Sequence, residues 1–222
     1  MDNIMSDKDM EILQQTFKSN IHDYKSFMQL YKAGIKEIKT KLEILDDEFK
    51  VRYDYNPIHH IESRLKTPES LIEKIKKKNI ETNFKSIRDN INDIAGIRVI
   101  CNYKNDIERI ANMLIGQDDV KVKYIRDYIS TPKENGYRSL HIVVEIPIYL
   151  AEEKTPVPVE IQIRTIAMDF WASLEHKLRY KADCNVSPEL KQRLKICAEA
   201  IYEVDEEMQA IHNELDNCER KD

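Results

Sequence analysis

Glycine and proline are scarce in this chain, at four and seven of 222 residues. A loop-rich or low-complexity chain uses far more of both, so the sequence predicts long regular elements. Cysteine is scarce as well. Cys101, Cys184, Cys197 and Cys218 form neither a CxxC pair nor a disulfide framework, which reads as reduced thiols in a cytosol. A zinc site from Cys184, Cys197 and His212 would match no structural zinc spacing. No window approaches the roughly 18 to 20 apolar residues of a membrane span, and residues 1–10 lack an apolar signal core. A cytoplasmic protein without membrane contact is expected. An excess of positive charge is also missing: 35 Lys and Arg against 40 Asp and Glu leave a formal net charge of −5. That excludes a dedicated duplex nucleic-acid binder, whose affinity comes from neutralising phosphates.

What is present is a soluble composition, 41% hydrophobic and 34% charged, in a chain long enough for one cored domain with accessory helices. Leu13, Phe17, Ile21, Tyr24, Met28, Tyr31, Ile35, Ile38, Leu42, Leu45 and Phe49 recur at steps of three or four, predicting a long amphipathic helix that Gly34 could interrupt. Residues 51–57 read as a link. Thr67 and Pro68 then look like the N-cap and first position of a helix carrying a local basic run to Lys78. After Ser187-Pro188, Leu190, Leu194, Cys197, Ile201, Val204, Met208, Ile211, Leu215 and Cys218 trace a heptad-like seam. Two such stripes exceed what a small sheet can cover, so homo-oligomerisation is expected. The divisions implied are a helical region over 1–50, a central domain over 51–182 and an amphipathic helix over 183–222.

Strand-like segments fill the centre: 96–101, 139–146 and 157–164, with a further one over 121–128 and a helix over 105–114 between them. In 157–164 Val157, Val159, Ile161 and Ile163 point to one face while Glu160, Gln162 and Arg164 point to the other. The class is α/β or α+β, a mixed sheet flanked by helices. Asp93 stands just before the strand holding Arg98. Two carboxylates at the ends of neighbouring strands are what a Mg²⁺ ion bridging nucleotide phosphates requires. Asn135-Gly136 reads as a tight hairpin turn, with Lys133, Tyr137, Arg138 and His141 crowded around it: cations for phosphate and an aromatic face for a base.

These segments resemble a known family. DIAGIR at 93–98, NGYRSLH at 135–141, EIQIRT at 160–165 and the helix WASLEHK at 171–177 are similar to the synthetase domain of RelA/SpoT-type alarmone enzymes over residues 40 to 180. A single synthetase domain with helices at both ends resembles the small alarmone synthetase branch. His22-Asp23 is read as helix surface, because a companion hydrolase needs several separated His and Asp ligands.

The resemblance implies transfer of the β,γ-pyrophosphoryl group of ATP to the ribose 3′-hydroxyl of GDP, GTP or GMP, giving an alarmone and AMP. It implies Asp93 and Glu160 as ligands for Mg²⁺, with Mn²⁺ as a substitute, and Glu160 as the base for the 3′-hydroxyl. Arg64 and Arg98 would sandwich adenine, and Lys66, Ser70 and Lys74 would follow the ATP phosphates at steps of four along the start of the basic helix. Tyr137 would stack on guanine, Arg126, Lys133 and His141 would contact the acceptor phosphates, and Gln162 and Arg164 would support the site. A homotetramer is implied by the same resemblance. Residues 59–63 map to the cleft where some relatives bind an activating alarmone, but Glu62 there would repel a highly phosphorylated ligand. Two alternatives compete: an enzyme that pyrophosphorylates the 3′ end of tRNA, and a regulator that binds nucleotide or single-stranded RNA without catalysis.

Overall fold

A computed structural model describes residues 21–181 and 187–219. Cys184 and the part of the first helical stripe before residue 21 lie outside these residues. Helix α1 (Ile21–Arg52) is followed by β1 (Ile58–Leu65), α2 (Pro68–Lys78), α3 (Phe84–Asn90), β2 (Ala95–Cys101), α4 (Lys104–Ile115) and β3 (Lys121–Asp127). Then come β4 (Leu140–Tyr149), β5 (Lys154–Thr165), α5 (Ile166–Lys181) and α6 (Pro188–Glu219). The five strands form one mixed sheet in the order β1-β2-β5-β4-β3, with β2 and β5 parallel and every other neighbour antiparallel.

One face of this sheet is the core. Ile97, Val99, Ile142, Val144, Val159, Ile161 and Ile163 are at most 2% exposed and pack with Tyr31, Ile38 and Leu42 of α1 and Ile107, Ile110 and Leu114 of α4. Alternation along the strands therefore sends the intervening residues to the opposite face. Helix α1 is unbroken through Gly34, contrary to the expected interruption. A Cβ at that position would stand 3.0 Å from Val157 Cγ1 and 3.1 Å from Val159 Cγ2, so the glycine lets the helix backbone lie against β5.

Strand β1 was not expected from the sequence. It is an edge strand with most of its residues exposed, so it lacks the apolar alternation that marks a half-buried strand. Helix α3, capped by Asn83, was also unforeseen. Thr67 and Pro68 open α2 as expected, the Thr67 side chain accepting from the Ser70 amide. Lys66 lies before that helix rather than on it.

The Asn135-Gly136 turn exists but does not join two strands directly. Residues 128–139 form a long loop whose tip is closed by Gly136 N–H donating to Lys133 O at 2.8 Å and Lys133 N–H donating to Tyr137 O at 3.2 Å. Gly136 has φ +88°, a conformation that favours glycine.

Helix α6 docks through Ala198, Asp205 and Gln209, all buried. Asp205 accepts from Thr165 Oγ1 at 2.7 Å, and Gln209 Oε1 accepts from the Asn105 amide at 2.8 Å. The apolar seam read from the sequence faces largely outward: Leu190, Val204, Met208, Ile211 and Leu215 are 43–61% exposed.

Candidate active site

The polar face of the sheet is built by register. Glu62 of β1 stands opposite Arg98 of β2, Arg98 beside Gln162 of β5, Gln162 opposite His141 of β4, and His141 opposite Arg126 of β3. The neighbouring row runs Arg64, Gly96 and Glu160. Gly96 leaves the floor of that row low, and the Arg64 side chain lies across it. Arg64, Asp93, Gly96, Arg98, Glu160 and Gln162 line a common cleft.

Asp93 sits in the loop entering β2, tied by Lys66 N–H donating to Ile94 O at 2.8 Å. Its Oδ2 receives the Lys66 ammonium at 3.0 Å and the Lys74 ammonium at 2.5 Å. Burial raises the Asp93 pKa, but the Lys74 hydrogen bond and the charge of Lys66 outweigh it and hold the carboxyl below its usual range. The other oxygen, Oδ1, is buried and has no hydrogen-bond partner.

Glu160 is flanked on both sides. His141 Nδ1 stands 3.4 Å from Oε1, and the Gln162 amide donates to Oε2 at 2.9 Å. Burial pushes this carboxyl up, while the hydrogen bonds from His141 and Gln162 prevail and hold it low; the negative charge of Asp93 opposes them. Arg164 donates to Gln162 Oε1 at 2.7 Å, completing a chain from Arg164 through Gln162 to Glu160. Tyr137 Oη lies 2.8 Å from His141 Nε2.

Of the residues named from the sequence, Arg64, Lys66, Lys74, Asp93, Arg98, His141, Glu160, Gln162 and Arg164 converge on this face. Tyr137 reaches it through His141. Its ring is half-buried, with the Lys133 ammonium 4.6 Å and the Arg164 guanidinium 5.6 Å from the centroid. Ser70 is exposed on the first turn of α2, where its hydroxyl meets Thr67. Arg126 is exposed and stacks over Tyr124, its guanidinium 4.9 Å from the ring centroid.

Sequence reasoning missed Asp169. Its Oδ1 lies 3.4 Å from both Arg98 and Arg164, so one carboxylate on the first turn of α5 joins arginines of two strands. Glu62 was missed as the second partner of Arg98, at 3.2 Å. For Asp169 the available signal was an acidic residue just after Thr165, whose hydroxyl caps α5 by accepting from the Met168 amide.

Chemically, two ionised carboxylates opposed by Lys66, Lys74, Arg64 and Arg98 suit a divalent cation that arrives with a polyanion, since Mg²⁺ takes one or two carboxylates and completes its shell with phosphate and water. Asp93 Oδ1, buried and unpaired, is an open coordinating atom. Of the three candidate zinc ligands Cys184 lies outside the described residues, Cys197 is exposed and His212 stacks on Tyr103 with ring centroids 4.1 Å apart. No helix among the described residues is long and apolar enough to cross a membrane.

Comparison with known proteins agrees with the geometry. The family described as a region found in RelA / SpoT proteins matches residues 63–185. The chain is 42% identical over 199 residues to the GTP pyrophosphokinase YwaC of Bacillus subtilis, covering 90% of this chain and 95% of that one. It is 37% identical over 196 residues to the GTP pyrophosphokinase YjbM of the same organism, covering 88% and 92%. The crystal structure of small alarmone synthetase 1 from Bacillus subtilis bound to its product pppGpp superposes with a TM-score of 0.81 at 38% identity, covering 86% of this chain and 97% of that one. Small alarmone synthetase 2 from Bacillus subtilis superposes with a TM-score of 0.78 at 42% identity, covering 86% and 99%. Its sheet, its charged cleft and these likenesses together make the chain a member of the RelA/SpoT family, in the small alarmone synthetase branch.

Proposed function

We propose that the cleft transfers the β,γ-pyrophosphoryl group of ATP to the 3′-hydroxyl of GDP, GTP or GMP. The observation that carries this reading is the pairing of Asp93, with its open Oδ1, and Glu160 in one cleft with Arg64 and Arg98, in a chain whose relatives are named GTP pyrophosphokinases. Asp93 and Glu160 would hold Mg²⁺, or Mn²⁺ in its place, which when bound would supply charge neutralisation for the triphosphate. Glu160 accepts the proton of the 3′-hydroxyl. The 3′-oxygen then bonds to the β-phosphorus, the bond from that phosphorus to the oxygen bridging the α-phosphate breaks, and AMP departs with the electron pair.

Arg64 and Arg98 grip adenine with planar guanidiniums, a role Lys could not fill equally well. Lys66 and Lys74, now paired with Asp93, would turn to the triphosphate, with Ser70 further along the phosphate path. Tyr137 stacks on guanine after Lys133 vacates its ring, and Lys133, Arg126 and His141 meet the acceptor phosphates. Gln162 and Arg164 orient Glu160 through their hydrogen-bond chain.

A second copy of the chain covers the outward seam of α6, a reading supported by the exposure of Val204 at 61% and Leu215 at 59%. A tetramer in the cytosol is the arrangement we favour. Labelled ATP incubated with GMP, GDP, GTP or tRNA and separated by thin-layer chromatography tests the reading. A pyrophosphorylated guanine nucleotide plus AMP is expected; transfer to tRNA alone, or no transfer, overturns it.

A further inference from the structure

The loop over 128–139 carries Lys133 and Tyr137, and Tyr137 meets the sheet at His141 of β4. Its turn rests on the two C-terminal helices. A Cβ added at Gly136 would collide with Ala198 of α6, so the turn backbone lies directly on that helix. Ala198 is 5% exposed and clusters with Trp171, Ala172, Tyr137 and Leu194. Arg138 places its guanidinium 3.8 Å from the centroid of the Tyr202 ring while donating to Ile129 O at 2.7 Å, tying the far side of the loop to the same helix. Asn135 donates to Glu175 of α5 at 3.1 Å. Trp171 donates to Leu194 O at 3.0 Å and locks α5 to α6.

We infer that α6 is a positioning element for the acceptor nucleotide, acting through Ala198 and Tyr202 on the loop that presents Tyr137. This rests on the assignment of Tyr137 and Lys133 to the acceptor side. A loop of this length loses considerable conformational entropy when it takes one arrangement; Ile129 at its start packs on the main core, while the turn at Gly136 packs on α6. Close approach of Gly136 to Ala198 supplies packing that only small residues on both sides permit. The Arg138 and Tyr202 stack supplies a cation–π contact shielded on one side by the loop. Tyr202 is itself fixed by the Lys104 ammonium, 3.2 Å from its hydroxyl. Neither Ala198 nor Tyr202 touches the cleft of Asp93 and Glu160, so weakening them unsettles the acceptor side while leaving the ATP side in place.

The test uses the full chain with Tyr202→Ala, Tyr202→Phe and Ala198→Leu. Two readouts are taken: amide hydrogen exchange over 128–139, which needs no turnover, and KM for the guanine nucleotide and for ATP separately. Tyr202→Ala and Ala198→Leu are expected to speed exchange in the loop several-fold and raise the acceptor KM about 5- to 20-fold, with the ATP KM within about 2-fold of the parent. Tyr202→Phe, which keeps the ring under Arg138 but gives up the Lys104 contact with the hydroxyl, is expected to lie closer to the parent than Tyr202→Ala in both. Unchanged loop exchange in Tyr202→Ala overturns the inference whatever the activity. Faster exchange with an equal rise in both KM values also overturns it, since the helix would then be structural only. A parent chain that orders its loop but transfers nothing to guanine nucleotides refutes the proposed reaction, and loop exchange still decides the clamp.

Discussion

Replacing Asp169 by Asn removes one charge and almost no volume, so it isolates what a single carboxylate does between two arginines. Its Oδ1 lies 3.4 Å from the guanidiniums of Arg98 and Arg164. At that separation each pair is worth roughly 4–5 kcal/mol for an effective dielectric near 20. Solvent screens much of this, because the side chains of Asp169 and Arg98 are 26% and 29% exposed, whereas Arg164 is only 2% exposed. Arg164 also retains Gln162 as a partner at 2.7 Å, and no hydrogen bond to Asp169 Oδ1 is lost, since that oxygen has none. A net loss of about 2 kcal/mol follows, lying below the 3–5 kcal/mol of a fully buried broken pair. For a chain of this size that lowers Tm by about 4–8 °C. Two guanidiniums left facing each other also drift apart, so KM should rise for ATP through Arg98 and for the acceptor through Arg164. Thermal melting and separate KM determinations read both effects. A variant melting within about 1 °C of the parent with both KM values unchanged would refute the reasoning.

The pH dependence of stability gives a second check. Asp93 and Glu160 are both held below their ordinary values of 3.8 and 4.5, so their contribution is present above the unfolded pKa and is lost as pH falls through the lower folded pKa. The Tm difference between the parent and Asp93→Asn should therefore stay constant from pH 8 to about 5 and change only below about 4; a change centred near pH 6 to 7 would contradict the assignment. On the outward seam, Val204→Glu with Met208→Glu should lower the mass measured by light scattering to that of a smaller assembly while far-UV circular dichroism is retained. An unchanged mass would remove α6 from the interface.

Much of this site was legible because strand alternation is a strong signal. The period of two in Val157 to Arg164 distinguishes the core face from the polar one, and Glu160, Gln162 and Arg164 do share the polar face. The motif-bearing residues Asp93, Arg98 and His141 joined them because β2, β5 and β4 are neighbours in register. The hidden parts depend on long-range contact. Strand β1 has no apolar alternation, as both its faces are largely exposed, so only its pairing with β2 makes it a strand. Gly34 read as a helix breaker because propensity is local, while its reason lies across the interface on Val157 and Val159. Asp169 follows the strand by one helical turn, and nothing in its neighbours reveals that it reaches Arg98. The Gly136 contact with Ala198 spans 62 residues of sequence and leaves no periodic trace.

Glu160→Gln probes the proposed reaction at its centre, because the amide keeps the shape and the contact with Gln162 but would neither accept the 3′-proton nor balance a metal. Measured as alarmone formed from ATP and the preferred guanine nucleotide, turnover should fall by about 10³-fold or more, while calorimetry shows the acceptor nucleotide still bound within a few-fold of the parent. Turnover near the parent level, with binding intact, would contradict the account.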